Sequence, residues 1–469
     1  MTARGEETTP DILVTRGSVV TMNAEREILD HGAVAIAGDT IVAVGPSGSL
    51  EQRWPLVDRL DAGGGLITPG LINAHQHVTG DPLVWSSIPD TLPPGESIFG
   101  WALPLHAAEG PTDERFGAAL VAAASVRNGV TTLIEPGTVV DPDAVAEGLA
   151  SVGIRAGIGV WAWDADKGPL ASSAAQALEN IAAVLDRYPA GGAIEGWVTL
   201  IGHNLASDEL LVGAAELTRA RGARMTMHLS PTSSDPVSYL EVHGVRPFVH
   251  LQRLGVLGPH LLVAHGVWID DEEFEAILGS RTALAYCPWA YLRLGQGVTG
   301  HGRHAELYRS GGRVALGCDA CNAGDMPDVL RSAALAAGLA KDQREDPTWF
   351  APHDAFEMAT ISGAEAIGLG DRVGSLEVGK QADVVVFEAA GPQWASPGDP
   401  IQKLVWSSDG RDVRHVFVGG KRVVKDRQCT LIDEVELVTE ARQASAALIK
   451  RAGLEPPTRW PVRKEPPEL

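Results

Sequence analysis

The stretch Pro69-Gly70-Leu71-Ile72-Asn73-Ala74-His75-Gln76-His77 sets two histidines one residue apart, directly after a short apolar run. Side chains of a β-strand alternate between faces, so residues i and i+2 point the same way. Read as the end of a strand, the stretch sends both imidazoles into one space. Two readings compete, a pair of metal ligands or two unrelated surface histidines. The rest of the chain has to decide between them.

Working outward, apolar runs recur, each followed by an Ala-rich helical segment. Strands are expected at Leu71–Ala74, Thr131–Glu135, Arg155–Val160, Glu195–Leu200, Arg224–His228, Leu261–His265, Thr282–Tyr286 and Arg313–Cys318. Segments such as DERFGAALVAAASVRNG and DEEFEAILGS supply the helices, with Asp or Thr at plausible N-caps. Eight strands alternating with helices predict parallel βα units closed into a (β/α)8 barrel over residues 67–370. Residues 1–66 and 371–430 have another texture, short alternating runs broken by Gly, as in GAVAIAGDTIVAVG and VRHVFVGGKRVVKD. They are expected to build one small β-sandwich domain that is discontinuous in sequence. A C-terminal helix and a Pro-rich, charged tail are expected over 431–469.

The chain has 469 residues, 45% of them hydrophobic, and a formal charge of 38 − 60 = −22. Such acidity argues against nucleic acid or an anionic membrane as partner. No run approaches the roughly 20 apolar residues of a membrane span. The N-terminal MTARGEETTPDILV lacks the apolar core of a signal peptide, so the expected location is cytoplasmic. Cys287, Cys318, Cys321 and Cys429 are too few for a disulfide framework, and the Cys318/Cys321 pair lacks the second pair a structural zinc site needs. Large barrels of this kind are often oligomers, and a homo-oligomer is expected.

Chemistry in parallel barrels sits at the C-terminal ends of the strands. Strand one ends in His75 and His77, strand four in His203, strand five in His228, strand six in His265 and strand eight in Asp319. A lone histidine after a strand is more often structural than catalytic. Five histidines and an aspartate at one rim need six coincidences under that bland reading. Neutral imidazoles with one carboxylate suit a divalent ion such as Zn, Fe or Co. An open coordination position would hold water and lower its pKa toward roughly 7.

With these pieces in place, the chain resembles the amidohydrolase superfamily, in its deaminase and chlorohydrolase branch. The matching segments are PGLINAHQH, MHLS, LLVAHGVWIDDEE, ALAYCPWAYLRLGQG, VALGCDA and GSLEVGKQADVVVF, which span most of the chain in the family's order. The resemblance implies that His75, His77 and His228 ligate one metal ion. It implies that Asp319 is both a ligand and the general base. His265 matches a histidine that either binds metal or polarises the substrate oxygen, and His203 matches one that contacts substrate. Strand four carries no lysine to bridge two metals.

Departures from the family bear on the reaction. Ring deaminases and triazine chlorohydrolases of this branch place a Glu three residues after the strand-five histidine, where it protonates a ring nitrogen. Here HLSPT puts Pro231 there. An asparagine expected after the strand-seven Cys-Pro is Tyr291. The segments NAHQHVTGDPLVWSSIPD, IFGWALPLHAAE and IEPGTVVDP also resemble the phenylurea and molinate hydrolase group, which cleaves ureas and thiocarbamates. The expected function is therefore metal-dependent hydrolysis of a C–N or C–S bond in a neutral amide, urea or (thio)carbamate-like small molecule. The alternative is an aminohydrolase acting on a heterocycle, with His203 as replacement acid. A metal-binding scaffold without catalysis is disfavoured, since binding alone needs no base at Asp319.

Further candidates carry bland alternatives. Glu135, at the end of strand two, orients a ligand or substrate, or is structural. Trp85, Trp289 and Tyr291 offer an aromatic wall or core packing; Trp101 is assigned to the core. His106, His301 and His304 lie in segments that contact substrate in such barrels. Asp235 is expected in a solvated loop, and His243 and His250 among structural or surface histidines.

Overall fold

The computed structural model describes residues 8–165, 168–324 and 326–461, so the last eight residues of the expected tail lie outside the described ones. Five β-strands open the chain: β1 Ile12–Val20, β2 Ile28–Ala37, β3 Thr40–Pro46, β4 Asp58–Asp61 and β5 Leu66–Pro69. Nine follow with parallel pairing: β6 Leu71–Asn73, β7 Val130–Ile134, β8 Arg155–Ile158, β9 Ile194–Gly196, β10 Val198–Gly202, β11 Met225–Leu229, β12 Leu261–His265, β13 Ala283–Tyr286 and β14 Arg313–Leu316. Four more close the sequence: β15 Val384–Phe387, β16 Val413–Val418, β17 Lys421–Lys425 and β18 Gln428–Cys429.

The parallel strands form two hydrogen-bonded sheets, β6-β7-β8-β9 and β10-β11-β12-β13-β14. Single bonds stitch them into a barrel. At one seam the Trp197 N–H donates to the Ile158 carbonyl at 2.7 Å, and at the other the Ala74 N–H donates to the Leu316 carbonyl at 2.8 Å. The eight expected barrel strands are all present. The fourth is split at Trp197, because β9 pairs with β8 whereas β10 pairs with β11. Every residue of β6, β7, β8, β10, β11, β12 and β13 is buried, as expected for parallel strands covered on both faces.

Strands from both chain ends share one nine-stranded sheet, in the order β18-β17-β16-β15-β5-β1-β2-β3 with β4 beside β1. Alternation along β1 divides its side chains between two apolar clusters. Val14 joins Val34, Ile41 and Val384, and Leu13 joins Ala33, Leu50 and Trp54. Pro69 ends β5 in this sheet and Leu71 begins barrel strand β6, so Gly70 is the only residue between them. A Cβ at Gly70 would lie 2.0 Å from Thr131 Oγ1, so only glycine fits the junction.

Candidate metal and catalytic site

Five of the residues singled out at the strand ends meet in one cluster. The Nε2 atoms of His75 and His77 each lie 3.4 Å from Asp319 Oδ1. His77 Nε2 and His228 Nε2 face each other at 3.3 Å. The rings of His75 and His265 have centroids 5.3 Å apart. His75, His77 and His228 offer ligand atoms within 4.8 Å of one another, as do His75, His265 and Asp319.

Backbone geometry aims these groups. His203, Asn204, Ser230, His265 and Asp319 all have positive φ, between 53° and 82°. Such conformations cost non-glycine residues about 1–3 kcal/mol each and collect at functional sites. Here each one turns the chain just where a barrel strand ends. Leu229 pairs with His265 in the β11–β12 register, and the His228 side chain sits one step earlier on β11.

A second layer fixes which ring nitrogen faces the cluster. His228 Nδ1 is 2.8 Å from the Ile201 carbonyl, so that nitrogen carries the proton and Nε2 presents a lone pair. His77 Nδ1 donates to Thr138 Oγ1 at 3.0 Å, and that hydroxyl donates to Glu135 Oε1 at 2.8 Å. The other Glu135 oxygen accepts the Gly137 N–H at 2.6 Å. Glu135 therefore acts on His77 through Thr138 with its oxygens occupied, which fits the role of orienting a ligand and not the expected contact with substrate.

The residues fit a divalent ion. Two ring-nitrogen lone pairs 3.3 Å apart repel unless a cation lies between or beside them. Among the described residues, Nδ1 of buried His75 and Nδ1 of buried His265 have no hydrogen-bond partner, and His75 Nε2 has the 3.4 Å approach to Asp319 but no hydrogen bond. Orphaned buried polar atoms are costly, and coordination satisfies them. Burial holds His228 and His265 well below the usual imidazole pKa, with His75 and His77 adding repulsion at His228. Burial also lowers His75. At His77 burial disfavours the charge, but Asp319 outweighs it and the pKa rises. Burial penalises the Asp319 carboxylate too, yet His75 and His77 hold it well below the usual range. Neutral imidazoles beside an ionised carboxylate are the forms a metal binds.

The remaining candidates fall elsewhere. His203 is at the rim, its ring stacked 5.3 Å from His228, with Nδ1 3.1 Å from Asp235 Oδ2. Asp235 is a correction. It is buried in the first turn of helix Ser234–His243, and the same oxygen accepts the Ser230 N–H at 2.7 Å. His304 is also corrected. It is buried and its Nε2 donates to the His265 carbonyl at 2.6 Å, so it backs His265 instead of meeting substrate. Tyr291 is fully buried, its hydroxyl donating to the Ala285 carbonyl and its ring 5.6 Å from His265. Trp289 lies under the Arg331 guanidinium at 4.1 Å, and His301 is exposed and stacked on Trp268 at 3.6 Å; neither is brought to the cluster. Trp85 is half-buried against the main core. His106 is buried, paired with Glu109 Oε2 at 3.4 Å and tilted 5.1 Å from Trp161.

Sequence reasoning missed several contributors. Gln76 Nε2 donates to the Asp319 carbonyl at 2.7 Å, and Asn73 Oδ1 accepts the Cys318 N–H at 3.1 Å, so the opening stretch itself locks strand one to strand eight. Trp161 and Trp163, after β8, meet edge to face at 5.1 Å. Their signal was available in the aromatic pair of GIGVWAW at a strand end.

A family model described as the amidohydrolase family matches residues 66–423, and a shorter one, an imidazolonepropionase-like composite domain of bacteria, matches 32–55. A 5-methylthioadenosine/S-adenosylhomocysteine deaminase of Syntrophobacter fumaroxidans is 30% identical, over 92% of this chain and 97% of that protein. A 5'-deoxyadenosine deaminase of Methanopyrus kandleri is 29% identical, over 92% and 97%. Among solved structures, a zinc-bound adenosine deaminase of Xanthomonas campestris superposes with TM-score 0.89 at 26% identity, covering 94% of this chain and 99% of that one. The zinc complex of atrazine chlorohydrolase from Arthrobacter aurescens, 23% identical with TM-score 0.84 over 92% and 100%, shares the fold. The chain belongs to the amidohydrolase family and is a metal-dependent hydrolase acting on C–N bonds of small molecules. No described helix is long and apolar enough to cross a membrane.

Proposed function

From membership of the amidohydrolase family we propose that this chain hydrolyses a neutral amide, urea or (thio)carbamate-like substrate at its carbonyl carbon, releasing an amine or thiol. The observation that carries this reading is the position three residues after His228. It holds Pro231, which is buried and has no proton to give. Of the carboxylates beside the cluster, Glu135 does not replace the missing acid, because its oxygens are engaged by the Gly137 and Thr138 N–H groups and the Thr138 hydroxyl. Asp235 takes the Ser230 N–H and His203 on one oxygen. Addition of water to an aromatic ring requires protonation of a ring nitrogen, whereas addition to a carbonyl needs a proton only at the leaving atom.

His75, His77, His228 and Asp319 would hold one divalent ion, with His265 beside them, zinc being the first choice for this donor set. When bound, such an ion supplies Lewis acidity toward the carbonyl and acidifies water. Asp319 takes the proton of the attacking water and later returns it to the departing nitrogen or sulfur, a role worth about 10²–10⁴ in rate. His265, backed by His304 and Tyr291, stabilises the oxyanion that develops on the substrate. His203, oriented by Asp235, contacts substrate at the rim. Trp161, partly buried, joins Trp85 as a candidate for its apolar wall, with Trp163 packed behind it.

A second reading rests on the relatives. Both curated proteins named above are adenosine-type deaminases, and their names favour ammonia release from a heterocycle. In that reading the His203–Asp235 pair supplies the ring proton. The test is a paired panel of N-aryl ureas, carbamates and amides against aminopurine nucleosides and aminotriazines. Carbonyl cleavage with amine release is expected. Ammonia release from the heterocycles, with no cleavage of the carbonyl substrates, would install the second reading instead.

A further inference from the structure

Outside the barrel cluster, a further group of metal-ligating side chains stands on the rim. Asp208 opens helix Asp208–Arg221, His243 ends helix Ser234–His243, and His250 lies within helix Pro247–Arg253. We propose that Asp208, His243 and His250 form a second divalent-metal site, taking a borderline ion such as Zn²⁺, Co²⁺ or Ni²⁺.

Three observations carry it. One ligand atom from each residue lies within 4.8 Å of the others, the same closeness found for His75, His77 and His228. Around an ion at bond lengths of about 2.0–2.1 Å, tetrahedral donors sit roughly 3.4 Å apart, so small side-chain shifts would close the group. The two imidazoles already stack with centroids 3.9 Å apart and a tilt of 31°, and His250 Nε2 is 2.7 Å from Asp208 Oδ1. The donor set is two imidazoles and a carboxylate, which suits borderline divalent ions better than Mg²⁺ or Ca²⁺. Burial differs usefully across the set. His250 is buried, His243 half-buried and Asp208 exposed, which leaves one side open to water and to exchange.

The site also has a place in the fold. Asn204 Oδ1 accepts from His243 Nε2 at 3.0 Å, and Asn204 Nδ2 donates to Ser238 Oγ at 2.7 Å. Asn204 follows His203, so an ion on these three helices would brace the turn that presents His203. The proposal uses none of the barrel ligands, and its failure leaves the proposed reaction untouched.

Dialysis of the purified enzyme against buffered micromolar free Zn²⁺, then elemental analysis, tests it. Wild type should hold two ions per chain. His243→Ala and Asp208→Asn should each hold one, and His75→Ala should hold one, kept at the rim. Added Zn²⁺ should raise the melting temperature of His75→Ala but not of the His75→Ala/His243→Ala pair, and circular dichroism confirms that each variant is folded. A single ion in wild type would overturn the proposal, since the helices would then be joined by an ordinary ion pair and ring stack. So would a second ion that survives both His243→Ala and Asp208→Asn.

Discussion

His77 shows how single residues are conscripted. Its Nε2 can face His228 only because Nδ1 is engaged by Thr138, whose hydroxyl is in turn aimed by Glu135. Removing the hydroxyl in Thr138→Val frees the ring to adopt the other tautomer. Outer partners of this type are worth about 10–100-fold in metal affinity. A competition titration with a chelating dye should show that loss, with the barrel ion still binding at saturation; unchanged affinity would mean that Thr138 only fills space. Asp319→Asn keeps the shape and an acceptor oxygen but cannot take the water's proton. Its turnover is expected to fall about a thousandfold, within the range for a lost general base, while its metal content falls less than that of His75→Ala. Near-normal turnover would assign the base elsewhere. At this scale the clustered histidines and Asp319 were legible in the sequence because each follows an apolar run. Asn73, Gln76, Thr138 and Asp235 were not legible. They act through contacts across tens to hundreds of residues, such as Gln76 to Asp319, and no local pattern marks such a partner. Asp235 misled for the same reason, since polar spacing looks alike whether a carboxylate meets water or a buried imidazole.

Among the elements, the βα alternation was readable because buried parallel strands are uniformly apolar. The break between β9 and β10 was not. The stretch Ile194-Glu195-Gly196-Trp197-Val198-Thr199-Leu200 carries no sign that its pairing partner changes at Trp197, a side chain that fills the space beside Gly157. Gly70 is the tightest point between the small sheet and the barrel. Gly70→Ala would drive a methyl into the buried side chain of Thr131, and a loss of about 1–3 kcal/mol is expected from urea melts. In β16, His415 is buried, accepts the Asp426 N–H at Nδ1 and is pushed down to about 4, chiefly by burial, with Asp426 opposing and Arg414, Arg422 and Lys425 assisting. Its folded pKa lies below the ordinary 6.5, so on acidification the unfolded chain takes the proton first. Its stabilising contribution is therefore full above pH 6.5 and is lost as the pH falls toward about 4. Replacing it in His415→Gln should flatten the melting-temperature profile across that window; an unchanged slope would place the acid sensitivity in other groups.

For the molecule as a whole, two small strand groups from opposite chain ends form one sheet, and the barrel between them gathers five side chains from four strand ends into a candidate cation site. The family, the barrel and the metal requirement follow from features that recur along the whole chain. The leaving group does not, because it depends on one proton donor at one position. The charge of −22 favours a neutral or cationic substrate over an anionic one. Pro231 turns the choice between carbonyl and ring into a question of which nitrogen departs. A single probe carrying both an aryl urea and an amino-substituted heterocycle poses that question within one molecule. Incubated with the metal-loaded enzyme and followed by mass spectrometry, it should lose its urea carbonyl and release the aryl amine, with the ring amino group intact. Conversion of the ring amino group to a ring oxygen, with the urea untouched, would contradict the account.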